Sequence, residues 1–403
     1  MDWQYCSPEE GLYRERLLDV HVLEATDETA RGPSNQRKID GTKAVRKFIR
    51  SGGDNLHSRL PPRSLDSLRK TVAYLTHMWY LRATEVDEDD RAVAVCYHFV
   101  MDRLNAVRQE LVSEKRKGLE VLRLLLSIVR TYIFVGVRCR EITEIKADST
   151  IEDKESWYDP HMLDSSTISC VTAALAEGMD CAGDSSEGEG DPFAMIDELT
   201  AYSLLSKAFN SFSKSLDVVV SSGSLGPLSP TVFPNLMSPE DTHLGTDAAP
   251  MTSVVWQFIG SCLRASNPSR ALHLICGLQK VHDQNHPALL ALLSRFLPGL
   301  ALWRLLLIES TANRKEELPL SSMAAKLGLG EGEEPTSAVI SVLKCFEQAG
   351  TERLTLTVFR CRDGESTEAG RAGVLRELGV LFARSSHVVT ASAPFEQWFP
   401  YLM

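Results

Sequence analysis

The stretch Tyr97–Leu111 limits the possible folds of this chain more than any other. Val100, Leu104, Val107 and Leu111 recur there at i, i+4, i+7 and i+11, which draws one apolar stripe down a helix. Asp102, Arg103, Arg108, Gln109 and Glu110 occupy the other faces. The stretch contains no nucleophile, no metal-ligand set and no phosphate loop. Segments of the same kind follow one another along the chain, and strand-like alternation is scarce. Such a chain buries itself by laying amphipathic rods side by side, which predicts a helical scaffold rather than a catalyst.

The rods can be placed in order. Pro61-Pro62 precedes a helix from about Ser64 to Arg82, with Ser64 as N-cap and Leu65, Leu68, Val72 and Leu75 as its stripe. The acidic run Asp87–Asp90 suits the positive end of the next helix, which runs to about Ser113. Further helices are expected over Glu120–Arg140, Pro160–Glu177 and Pro192–Leu216, the last with Phe193, Ile196, Leu199, Leu204 and Phe209 as apolar positions. Thr252–Ala265, Pro268–Gln279 and Pro287–Ser310 continue the series. Short helices joined by short turns predict a mostly α fold, an α-solenoid of helical hairpins, although no strict sequence period appears.

Three regions follow. Residues 1–60 read as an extended arm with helices at Gly11–Thr26 and Thr42–Ser51, parted by Gly32-Pro33-Ser34-Asn35. Residues 61–312 form the helical repeat. A Gly/Ser/acid-rich insert at 177–191 and a Ser/Pro/Gly-rich insert at 221–250 interrupt it, and both are expected to be mobile. In residues 313–403, Leu318–Leu329 and Pro335–Ala349 read as helices, with Gly350 as the C′ glycine of the second. Arg353–Arg360 then alternates like a strand. Helix, turn, helix, strand is the order of a winged helix.

Charge narrows the function classes. A net charge of -11 argues against a protein that coats nucleic acid over its whole surface. Yet twelve Lys and Arg lie between Arg31 and Arg82 against three acids, and Ala147–Leu199 is strongly acidic. Within the basic stretch, Lys43, Arg46, Lys47 and Arg50 could hold a phosphate backbone by charge alone. The competing reading pairs them with the acidic middle of the chain. In the winged-helix region the second helix carries only Lys344 as a basic residue over Thr336–Gln348, and Lys326, Arg353, Arg360 and Arg362 surround it, too sparse for sequence-specific DNA reading. Leu354, Leu356 and Val358 on the strand are candidates for docking a partner.

Catalytic and cofactor signatures are missing. No nucleophile elbow, P-loop or dinucleotide fingerprint occurs; Gly328, Gly330 and Gly332 sit in an acidic turn that would repel phosphate. His282 and His286 are spaced i, i+4, but Pro287 breaks any helix there and Cys276 is the only further ligand nearby. No enzyme activity, cofactor or metal is therefore expected. Arg103 reads as structural, bonding to neighbouring hairpins. Arg123 and Arg130 interrupt one long apolar stretch and Arg295, Pro298 and Arg304 another, so no membrane span is expected. Nine scattered cysteines without a C-x-x-C pair, behind a start that lacks a basic n-region, lead to an expectation of reduced thiols in cytosol or nucleus.

Several blocks, taken together, resemble one family. Cys6–Arg16 with Val22-Leu-Glu24, Lys43–Ser51, Leu60–Leu75, Tyr97–Leu111 and Asp197–Lys207 are similar, in order, to the conserved domain of the Sac-three/GANP family of messenger-RNA-export and spindle-associated scaffolds. The family's paired-cysteine opening is reduced here to Cys6, and its Phe-Gly repeats and long adaptor-binding helix have no counterpart, so the chain resembles the short, domain-only members. The resemblance implies a helical repeat ending in a PCI-like winged helix. It also implies pairing with a PCI-domain protein, stabilisation by a small acidic proteasome-lid-type peptide, and a basic surface for messenger RNA. Two roles follow: a subunit of a TREX-two-like nuclear export complex, or a centrosome and spindle factor without RNA contact.

Overall fold

The computed structural model describes residues 3–49, 60–84, 90–146, 160–184, 192–222 and 251–260; between 268 and 304 it describes 268, 271, 274–275, 287–297, 299–301 and 303–304. These residues are mostly helical. Among them there is no strand, and extended segments meet only at two isolated bridges, Tyr5 with Val45 and Ala25 with Ile39. No helix of the described residues is long and apolar enough to cross a membrane. The winged-helix region, including Lys326, Lys344, Arg353, Arg360, Leu354, Leu356 and Val358, lies outside the described residues, as do Arg50 and the insert at 223–250.

The described residues divide into two compact units, one of residues up to 135 together with 160–196, the other of 136–146 together with those from 197 on, so the helix that starts at Pro192 begins in the first and continues in the second. The first unit opens with α1 (Pro8–Arg16). Ser7 caps it by accepting the Glu10 N–H at 3.2 Å, Pro8 supplies a preset φ, and Glu9 and Glu10 suit the positive helix end. The expected helix over Gly11–Thr26 ends early because Leu18 turns left-handed, at φ 59°. A 3-10 turn, Val22–Glu24, and the single-turn α2 (Asp27–Ala30) follow. Cys6, Val20, Ala25, Ile39 and Ala44 form a small core under this arm, with Trp3 packed on it. Trp3 lies so close that a Cβ on Gly11 would come within 2.3 Å of its ring and one on Gly41 within 2.8 Å.

The expected helix over Thr42–Ser51 is absent in its described part; residues 44–49 are extended. Four consecutive N–H groups explain this. Val45 donates to Glu24, Arg46 to the Tyr5 carbonyl, Lys47 to Glu10 and Phe48 to Asp102, at 2.8–3.3 Å. Each is taken by a distant part of the chain, so none is free for a carbonyl four residues back.

The next two helices match their sequence signals closely, whereas the helix expected over Pro160–Glu177 runs on to Asp184 and takes in the first part of the 177–191 insert expected to be mobile. α3 spans Leu65–Thr84, with Ser64 accepting the Ser67 N–H at 3.1 Å, and buries Leu68, Val72 and Leu75. α4 spans Asp90–Ser113 and buries all four stripe residues, Val100, Leu104, Val107 and Leu111. α5 spans Leu119–Lys146. α3 meets α4 through Trp79 edge-on to Tyr97, and α5 through the Thr76–Thr131 hydroxyl pair at 3.0 Å. α6 (Pro160–Asp184) is tied to α4 by Arg108, which donates to the Ser169 hydroxyl at 3.0 Å.

In the second unit, α7 (Pro192–Ser222) presents Leu199, Tyr202, Leu205, Phe212 and Leu216 to the core; Leu204 and Phe209 are only half-buried. Asp197 caps α8 (Met251–Phe258), accepting the Met251 N–H at 2.6 Å. Phe209, Phe212 and Phe258 converge on Phe296, just past α9 (Pro287–Ser294), with ring centroids 5.0–5.5 Å apart.

Candidate functional site

Glu10, Arg14, Glu24, Arg46, Arg103 and Glu110, from the blocks quoted above, are buried rather than spread over a surface. They meet in a buried seam between the arm and α4. Glu24 is fully buried and accepts from Arg14 at 2.9 Å, from Arg103 at 2.8 Å and from the Val45 N–H at 2.8 Å. Glu10, equally buried, accepts from Arg46 Nε at 3.2 Å and the Lys47 N–H at 3.0 Å. Glu110 on α4 receives Arg46 at 3.1 Å and Arg63 at 2.9 Å. Arg63 reaches on to the Tyr5 carbonyl at 3.0 Å and the Thr71 hydroxyl at 3.2 Å. Asp102 binds Arg103 and the Phe48 N–H, and Gln109 donates to the Ile49 carbonyl at 2.7 Å. Residues 45–49 are thus zipped along α4.

The electrostatics follow from this wiring. Burial alone would raise the Glu24 carboxyl, but Arg103 and Arg14 outweigh it and hold it below the usual carboxylate range. Burial pushes the Cys6 thiol up to about 12, with Glu10 adding to the effect. Burial, aided by Arg103, drives the His21 imidazole down to about 4, so it is neutral at physiological pH. Carboxylates gripped by two guanidiniums and closed to solvent cannot trade protons with a substrate. What the seam can do is fix the register of the arm on the helix, because every charge has one satisfying arrangement and shifting it would strand several.

Several candidates change meaning here. Arg46 cannot hold RNA phosphate: it is 7 % exposed and bound to Glu10, Glu110 and the Pro61 carbonyl. Lys43 and Lys47 stay at the surface but pair with Asp27 at 2.5 Å and Asp19 at 2.7 Å. The acids that answer this basic stretch belong to the arm and α4, not to the acidic middle of the chain. Arg103 is structural, yet its partner Glu24 lies in the arm rather than in a neighbouring hairpin.

The sequence reading missed Glu10, Arg14, Glu24, Arg63 and Glu110. A signal did exist, because Val100, Arg103, Val107 and Glu110 share one helix face, so two charges sit inside a half-apolar stripe. Among the described residues no group of three or more His, Cys, Asp or Glu could hold a metal ion. His282 and His286 lie outside them.

The seam falls within a span that known sequences match. Residues 5–156 match the model of a family described as the SAC3/GANP family. The match takes in the blocks from Cys6 to Leu111, whereas Asp197–Lys207 lies beyond it. Among curated proteins none matches the chain.

Proposed function

We propose that this chain, whose residues 5–156 match the model of the SAC3/GANP family, is a member of that family and a non-enzymatic scaffold subunit of a TREX-two-like complex for transcription-coupled messenger-RNA export. The observation that carries the reading is the fate of the charged residues in the matched span. They are consumed in holding arm to helix, as a rigid platform requires and as a catalytic cleft does not. In this reading the helices continue as a solenoid into a winged helix. Leu354, Leu356 and Val358 there dock a PCI-domain protein, and a small acidic proteasome-lid-type peptide braces the pair. RNA meets the joined surface through Lys326, Lys344, Arg353 and Arg360, and the protein works in the nucleus.

Co-expression of the full chain with a PCI-domain protein tests this. A stable complex is expected, weakened about tenfold or more by Leu356→Asp or Val358→Asp, together with cross-linking to polyadenylated RNA in cells. A chain that stays alone, or that gathers at spindle poles without RNA, would replace this reading with the centrosomal one.

A further inference from the structure

The arm and α4 also enclose a concavity of about 320 Å³ that the seam leaves open. Its charged lining is Arg37, Lys47 and Arg103 against Asp19 and Asp102, and Leu18 and Phe99 supply apolar wall. Most of these charges are already matched. Lys47 holds Asp19 at 2.7 Å, and Arg103 is shared between Asp102 and Glu24. Arg37 is the exception. It donates to the Val20 carbonyl at 3.4 Å, and its buried Nε has no partner, nor has that of Arg103. The Arg37 guanidinium lines the concavity and has no carboxylate partner among the described residues, so an acidic group entering there would meet an unanswered positive charge.

Leu18 brings exposed apolar surface into the lining itself, and Leu17 precedes it in the chain. Leu17 and Leu18, on the turn after α1, are 57 % and 55 % exposed, and Leu12 on α1 is 50 % exposed. Leu18 also holds a left-handed backbone, at φ 59°, which is strained for a leucine. A large aliphatic kept out in water on a strained turn is a local conflict of the kind that concentrates at recognition sites.

We propose that this concavity and its leucine rim dock a short segment of a partner protein, one that offers a single carboxylate next to an apolar side chain. The carboxylate answers Arg37, and the apolar side chain covers Leu17 and Leu18. Among the described residues of the lining, Arg37 is the cation without a carboxylate partner, and one such cation suits one carboxylate. A nucleic-acid strand fits poorly, because it presents a row of phosphates where the described lining offers a single cation not already held by a carboxylate. The site is separate from the docking strand proposed above, so either can fail without the other.

A random displayed peptide library selected on the full-length chain tests the proposal, with labelled winners titrated by fluorescence polarisation. Winners should place Asp or Glu beside Leu, Ile, Phe or Met. Arg37→Gln, and separately a Leu17→Ser/Leu18→Ser double variant, should each weaken them about tenfold. These variants alter exposed leucines or a side chain held by one carbonyl, and matching melting curves confirm their folding. An unlabelled oligouridine should not compete. The proposal is overturned if no winners emerge, if winners bind both variants unchanged, or if oligouridine displaces them in an Arg37-dependent way, which would mark a nucleic-acid site.

Discussion

Glu24 shows how much one side chain can carry. It is fully buried and faces Arg14 and Arg103, so Glu24→Gln would leave two guanidiniums in a low-dielectric pocket with an amide between them. A loss of about 3–5 kcal/mol in urea unfolding is expected; a change below about 1 kcal/mol would show the seam to be slack. The pH dependence separates Glu24 from His21. Glu24 titrates lower when folded, so its contribution is complete above its unfolded value of 4.5 and lost only below it. The folded His21 is also depressed, to about 4 from 6.5, and the unfolded chain binds the extra proton between those values. Stability should therefore begin to fall as pH drops through 6.5, well before the carboxylates titrate. His21→Asn should flatten the curve between pH 6.5 and 4, whereas Glu24→Gln should keep a fall in that range, because His21 loses a neighbouring negative charge and is depressed further. Identical slopes in wild type and His21→Asn would refute the assignment.

Elements differ in how far their own sequence determines them. α3 and α4 were legible because the signal is local: Leu68, Val72 and Leu75 on one, and Val100, Leu104, Val107 and Leu111 on the other, repeat at helical spacing and all are buried. Residues 44–49 were not legible. Ala-Val-Arg-Lys-Phe-Ile has ordinary helix formers, and what makes it extended are acceptors at Tyr5, Glu10, Glu24 and Asp102, up to 54 residues away. The basic character of the arm misled for the same reason, since the acids that neutralise Arg46 and Arg63 lie on α1 and late in α4. A strip held in this way should not fray. Amides of Val45, Arg46, Lys47 and Phe48 should exchange hydrogen about as slowly as those of central α4, in one cooperative unit. Exchange on the timescale of an exposed loop would mean that the strip detaches from the helix.

At the scale of the whole molecule, the apparent basic third largely cancels itself. Lys38 pairs with Glu15, Lys43 with Asp27, Lys47 with Asp19, and Arg69 and Lys70 with Asp66. These exposed pairs add little stability, but they lower the local field that a polyanion would feel. Charge reversal at both Lys43 and Lys47 should therefore change RNA retention by less than about twofold and leave its salt slope nearly unaltered. A steep loss on filter binding would restore the arm as a phosphate-binding surface. The wiring of the seam also bears on shortened forms of the protein. Protease trimming or an alternative start that removed the first fifty residues would take Glu10, Glu24 and the 45–49 strip together. Arg103 would then face water across a bared apolar wall with half its contacts gone. Such a fragment would bare the apolar wall of α4 beside an Arg103 deprived of Glu24, which makes it a client for chaperones and degradation.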